Sequence, residues 1–111
     1  MNKMTNLPAA YANLYGYSDV RPYEVVSISK SGKQITIRSM KFERDQTWQP
    51  EFDMGGFVAH CVNQIEQRWL IESDPDGYTM KAHKRADGYF HSPYGKHRID
   101  AKPRAFYDYN F

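Results

Sequence analysis

The sequence predicts a mainly β fold, a small antiparallel barrel or sandwich built from about three hairpins. Two observations predict it. Stretches of β-branched and aromatic residues alternate apolar with polar, and compact turn signals of Gly, Pro, Asp and Ser separate them. Residues 23–29, Tyr-Glu-Val-Val-Ser-Ile-Ser, read as a strand, Ser31-Gly32 as its turn, and residues 34–42 as the returning strand, with Ile35 and Ile37 on one face. The apolar phase then slips by one, to Met40 and Phe42, and a β-bulge near Ser39 would account for the slip.

Further along, Asp74-Pro75-Asp76-Gly77 is a strong turn, and Tyr78, Met80 and Ala82 alternate with Thr79, Lys81 and His83 in the strand that follows. Asp87-Gly88 marks a tight hairpin. Ser92-Pro93-Tyr94-Gly95 turns the chain once more before residues 96–99. Three segments are less regular. Residues 9–14 are alanine-rich and, with Asn6 as cap, Pro8 in the first turn and Gly16 at the exit, predict a short N-terminal helix. Residues 44–56 have no clean period and read as a long loop pinned by Trp48 and Phe52, the kind of loop that carries function. Residues 57–72 fit both periods. The run Trp69-Leu70-Ile71 favours a hairpin turning at residues 63–66, with Trp69 buried.

A chain of 111 residues predicts one domain, residues 1–111, large enough for a core without staples. Aromatics make up 15 %, and nine of them are tyrosines, residues suited both to strands and to binding surfaces. A single cysteine, Cys61, cannot form an internal disulfide. That favours a reducing compartment, and with no signal peptide or apolar run long enough to span a membrane, the expectation is a cytoplasmic protein. Charge is near balance overall but divided: residues 41–80 hold three cations against eight carboxylates, and residues 81–104 hold seven cations against two. The plainer reading is two solvated halves that attract each other. The sharper one is a basic face for a polyanion or an acidic partner.

Several groups could carry chemistry. His60 and Cys61 could make a thiolate pair, yet neighbours on a strand point to opposite faces, and a lone cysteine is most often a small buried hydrophobe. No catalytic residue is therefore assigned. A small enzyme centred on His60 and Cys61 is the third function considered. His83, His91 and His97 share a region but lack the paired spacing of a zinc site, so no metal and no cofactor is expected. The carboxylates Glu51, Asp53, Asp74 and Asp76 read as turn and loop residues that bond their own backbone. The candidate partner- or nucleic-acid-binding residues are Lys81, His83, Lys84, Arg85, Tyr89, Tyr94, Lys96 and Arg98, a mixture of cations for phosphates and rings for bases, with Trp48 and Phe52 as loop candidates. The aromatic tail Phe106, Tyr107, Tyr109 and Phe111 is expected to fold back and complete the core rather than stand out as a recognition strand.

Three motifs also carry a resemblance: Tyr15-Gly16-Tyr17-Ser18-Asp19-Val20 with Pro22-Tyr23-Glu24-Val25-Val26; Gly55-Gly56-Phe57 with His60-Cys61, Asn63-Gln64, Gln67 and Trp69; and Pro103-Arg104 with Phe106-Tyr107-Asp108-Tyr109-Asn110-Phe111. Over nearly its whole length the chain resembles a group of small uncharacterised proteins encoded by phages, prophages and bacterial genomes. The resemblance implies no activity and no catalytic residues. It implies a setting, the bacterial cytosol, in which such accessory proteins bind and block a host protein. The function expected is thus a non-enzymatic binding protein that engages a host or phage protein, for anti-defence or host takeover. The alternative is a nucleic-acid-binding small barrel that uses the basic, aromatic C-terminal hairpin.

Overall fold

Six of the strands, those of the barrel, turn their inner faces to one interior, and five lie outside it. In the computed structural model, which describes residues 10–54 and 59–110, these are β1 (Tyr11–Tyr15), β2 (Val20–Arg21), β3 (Tyr23–Ile28), β4 (Gln34–Ser39), β5 (Lys41–Arg44), β6 (Phe52–Asp53), β7 (His60–Cys61), β8 (Trp69–Glu72), β9 (Thr79–Lys84), β10 (Phe90–Ser92) and β11 (Gly95–Asp100). One sheet runs β11-β10-β9-β4-β3-β1-β2, and β1 also pairs with β11, which closes a six-stranded antiparallel barrel with β2 as an appendage. The predicted β class and small barrel are what forms. The hairpin turns at Ser31-Gly32 and Asp87-Gly88 join antiparallel strands as expected, each with its glycine at positive φ, where a side chain would be strained.

The barrel interior is filled by alternate residues: Ala12 and Leu14, Tyr23 and Val25, Ile35 and Ile37, Met80 and Ala82, and Phe90. His97 completes this layer, fully buried, with its ring set edge-on to Tyr23 at 5.3 Å between centroids. His97 Nδ1 lies 2.9 Å from the Ala12 carbonyl, an acceptor only, so Nδ1 carries the proton. Nε2 then accepts from the Ser92 hydroxyl at 2.7 Å, and Ser92 Oγ in turn accepts the Tyr94 N–H at 3.1 Å. This relay ties β1 to β11 from inside and holds the β10–β11 turn. Burial pushes the imidazole below its ordinary value of 6.5, against the opposing pull of the bond to Ala12.

Three expectations of secondary structure are corrected. The predicted N-terminal helix is not formed over its described part: Tyr11–Tyr15 is strand β1, because pairing with β11 over five residue pairs outweighs the helix preference of alanine. Asn6, Pro8 and Ala9 lie outside the described residues. The apolar slip after Ser39 is not a bulge. The chain leaves the barrel there, and β5 pairs with β8 in a separate two-stranded sheet, while the bulge sits on the partner strand β3, where Val26 is the extra residue between Val25 and Ser27. Residues 60–72 do not form a hairpin about residues 63–66. There, β7 pairs with β6, Gln64–Glu66 makes one 3₁₀ turn, and β8 pairs with β5. Gly55, Gly56 and Phe57 lie outside the described residues.

The two small sheets form an arm beyond the barrel, and the whole molecule measures 55 × 30 × 21 Å. Ile35 and Ile37 are buried as expected, but Trp69, on the arm, is only half-buried, its ring 5.7 Å from that of Phe42. Among the described residues no helix is long and apolar enough to cross a membrane.

The buried neutral His97 makes stability depend on pH. The unfolded chain takes up a proton near the ordinary histidine value, which the folded ring resists, so this contribution is intact above about pH 6.5 and lost as pH falls. Urea denaturation should show unfolding free energy dropping by up to about 1.4 kcal/mol per pH unit as pH falls below about 6.5. His97→Asn, which keeps a donor for Ala12, should be less stable at neutral pH but lose this part of the slope. An unchanged slope would exclude His97 as its source.

Candidate functional site

Closure of the barrel gathers the C-terminal end of β1, the start of β3, the start of β9 and the β10–β11 turn at one end. The β1–β2 turn folds over this end, held by the Gly16 N–H to the Asp19 carbonyl at 2.9 Å. The tail reaches it from the far side. After β11 the chain doubles back along the outside of β1, where Asn13, fully buried, donates to Asp100 at 2.8 Å and to the Lys102 carbonyl at 3.0 Å and accepts the Arg104 N–H at 2.8 Å. Phe106 then pairs with Val20 through two backbone bonds of 2.9 Å.

Beyond Phe106 the tail has no strand to pair with, and side chains satisfy its backbone instead. The Gln67 amide donates to the Tyr107 carbonyl and accepts its N–H, both at 2.9 Å, while Gln67 Oε1 also accepts the Trp69 indole N–H at 2.7 Å. Gln64 Oε1 accepts the Tyr109 N–H at 2.8 Å, and Asp19 Oδ1 accepts the Asp108 N–H at 3.0 Å. Asn110 exchanges bonds with both backbone groups of Cys61, at 2.7 and 2.9 Å. The Tyr109 ring packs between those of Trp48 and Phe52, with centroids at 5.8 and 6.4 Å, and its hydroxyl accepts from Arg44 at 3.2 Å. Over its described part the tail folds back, but onto the arm rather than into the barrel core it was expected to complete, and Phe111 lies outside the described residues.

Between the barrel end and this clamped tail lies an open cleft of about 810 Å³. Six of the nine tyrosines line it: Tyr17, Tyr23, Tyr78, Tyr94, Tyr107 and Tyr109, together with Arg21, Asp19 and Asp108. Tyr78 and Tyr94 meet edge-on at 6.2 Å, and Tyr107 and Tyr109 at 4.7 Å. Tyr78 is placed by reciprocal bonds with Ser39 of 2.8 and 2.9 Å, and its neighbour must be glycine, since a Cβ on Gly77 would stand 2.3 Å from the Ser39 carbonyl. Burial raises the Tyr23 hydroxyl above its ordinary value of 10.0, opposed by Arg21, so this hydroxyl is a neutral donor and acceptor at pH 7.

No family model, no curated protein and no solved structure matches this chain. Of the three sequence motifs, the one from Tyr15 to Val26 and the one from Pro103 onward converge on the cleft, and the third supplies Gln64 and Gln67, which clamp the tail.

The structure divides the other candidates. Tyr94 belongs to the cleft, apart from the cations it neighbours in sequence. Lys81, His83, Lys84 and Arg85 are exposed on β9 and its following turn. Lys96 lies over the Tyr89 ring at 4.7 Å, and Arg98 over Tyr15 at 5.8 Å while paired with Asp100 at 3.0 Å. His83 and His91 face each other across β9 and β10, and His91 bonds to Asp87 at 2.9 Å. Trp48 is buried against the tail, and Phe52 is half-exposed on β6. Cys61 is buried and His60 exposed, on opposite faces of β7 as alternation requires. Among the described residues no three His, Cys, Asp or Glu side chains gather as a metal site. Sequence reasoning missed Tyr17, Tyr23, Tyr78 and Arg21 as site residues. The surplus of tyrosine was the one signal of them.

Gln67→Ala removes every one of these bonds from the clamp at Tyr107. Hydrogen exchange should show faster exchange at the Tyr107 and Tyr109 amides with the barrel strands unchanged, and global stability should fall by about 1–3 kcal/mol. Unchanged protection at both amides would rule out the clamp.

Proposed function

We propose that this chain is a non-enzymatic binding protein that engages a partner protein through the tyrosine-lined cleft. The observation that carries this reading is the convergence of six tyrosines, from five separate segments, on one open cleft in which Tyr17, Tyr78, Tyr94 and Tyr107 are 49 % to 93 % exposed. Rings needed only for packing would be buried, and rings left in water around a concavity are what a partner covers. Tyrosine suits that role because it offers a large amphipathic surface with two side-chain torsions to immobilise. The openness of the cleft favours a macromolecule over a small ligand, which would be enclosed over most of its surface. The resemblance to phage- and prophage-encoded proteins supports a bacterial host protein as the partner and inhibition of that protein as the outcome.

Binding hot spots concentrate in a few aromatic positions. Tyr78→Ala and Tyr94→Ala should each cost about 2 kcal/mol or more in affinity, with the thermal midpoint little changed. The test is quantitative capture from nuclease-treated bacterial lysate by wild type and by both variants. A protein held by wild type and released by either substitution supports the reading. Capture that survives both substitutions, or that vanishes with nuclease, overturns it.

A further inference from the structure

Four exposed cations of the barrel are gathered at the end opposite the cleft. The β4–β9 pairing sets Gln34 beside His83, and the next backbone contact runs from the Lys84 N–H to the Lys33 carbonyl at 2.8 Å. That contact lays the β3–β4 turn alongside the β9–β10 turn. Lys30 and Lys33 from the first and Lys84 and Arg85 from the second, some fifty residues apart in sequence, thereby share one end of the barrel, all four exposed. The described ion pairs use other groups: Arg38 with Glu24, His91 with Asp87, and Arg98 and Arg104 with Asp100. The two turns hold a single carboxylate, Asp87. It accepts the Tyr89 N–H at 2.9 Å, which holds it below the usual carboxylate range, and it bonds the His91 ring. Four cations against one carboxylate leave this end net positive, and together they attract a polyanion.

We propose that this end of the barrel is a second binding site, which takes the phosphate backbone of a nucleic acid without reading its sequence. Three of the four cations are lysines, compact point charges on flexible stems that follow a repeating phosphate row rather than fork onto one carboxylate. The ring beside them, Tyr89, already lies under Lys96, and Tyr94 stands in the cleft at the other end, so base stacking on these rings adds little here. Lys81, Lys96 and Arg98 flank the site along the barrel wall, and Arg98 is already matched by Asp100. The site is independent of the cleft, from which the length of β9 separates it.

The test is fluorescence anisotropy of the full chain with labelled DNA duplexes of about 20 base pairs and two unrelated sequences, from about 50 to 200 mM NaCl. Four phosphate contacts predict a slope of log affinity against log salt near −3.6, a loss of about 150-fold across that range. Lys30→Ala with Lys33→Ala, and separately Lys84→Ala with Arg85→Ala, should each bring the slope to about −1.8, with melting curves confirming that both variants fold. Tyr78→Ala should leave it unchanged. No binding at the lowest salt, slopes unaltered in both double variants, or a tenfold preference between the two sequences overturns the proposal. So does displacement of the duplex by poly-glutamate as readily as by unlabelled duplex, which would assign this end to an acidic protein.

Discussion

Closure of the barrel by β1 against β11 is the constraint on which the rest of the molecule depends. It joins segments more than eighty residues apart, removes the open edges of the sheet and gives the buried face of each strand a common interior. Both faces of the seam are reinforced. Inside, His97 reaches from β11 to the Ala12 carbonyl, and outside, Asn13 on β1 grips the chain that leaves β11. A buried histidine and a buried asparagine are costly unless every polar atom is partnered, and here the donors and acceptors of both are satisfied. The Ser92 end of the histidine relay also carries the Tyr94 backbone, so the packing that closes the barrel positions a ring of the cleft.

A closed barrel leaves no edge for the tail, and this explains the chemistry of the arm. Beyond its bridge at Phe106 the tail runs where no ladder satisfies its backbone, so Gln64, Gln67 and Asp19 do so one bond at a time, and the Asn110 side chain bonds the Cys61 backbone in turn. Those polar residues disturb any clean period in the sequence, which is why residues 57–72 read ambiguously. Trp48 and Phe52 then pack with Tyr109 in a small aromatic cluster at the clamped tail, and Tyr107, Asp108 and Tyr109 of that tail form a wall of the cleft. Cys61 fits this picture as a small buried group whose backbone, rather than its thiol, is held by the tail.

The two ends of the barrel are chemically unlike. One presents rings and few charges and suits a partner with shape to match. The other presents unpaired cations on turns and suits an extended anion. The charge division between residues 41–80 and 81–104 marked this polarity only in part, because Lys30 and Lys33 come from neither segment and reach the basic end through strand pairing.

Local chemistry in the sequence determined the strands β3, β4, β9 and β10, their tight turns and the burial of Ile35, Ile37 and Cys61, since alternation and turn residues act over a few positions. It misjudged residues 11–14, where alanine favours a helix until a distant strand offers a ladder, and it took the exit from the barrel at Met40 for a bulge because both shift the apolar phase by one. The pairing of β1 with β11, the descent of the tail onto the arm, the tyrosine cleft and the pooled cations were decided only by the tertiary structure. Each depends on contacts between residues dozens of positions apart, and no periodicity within a single segment encodes which strand will be its neighbour.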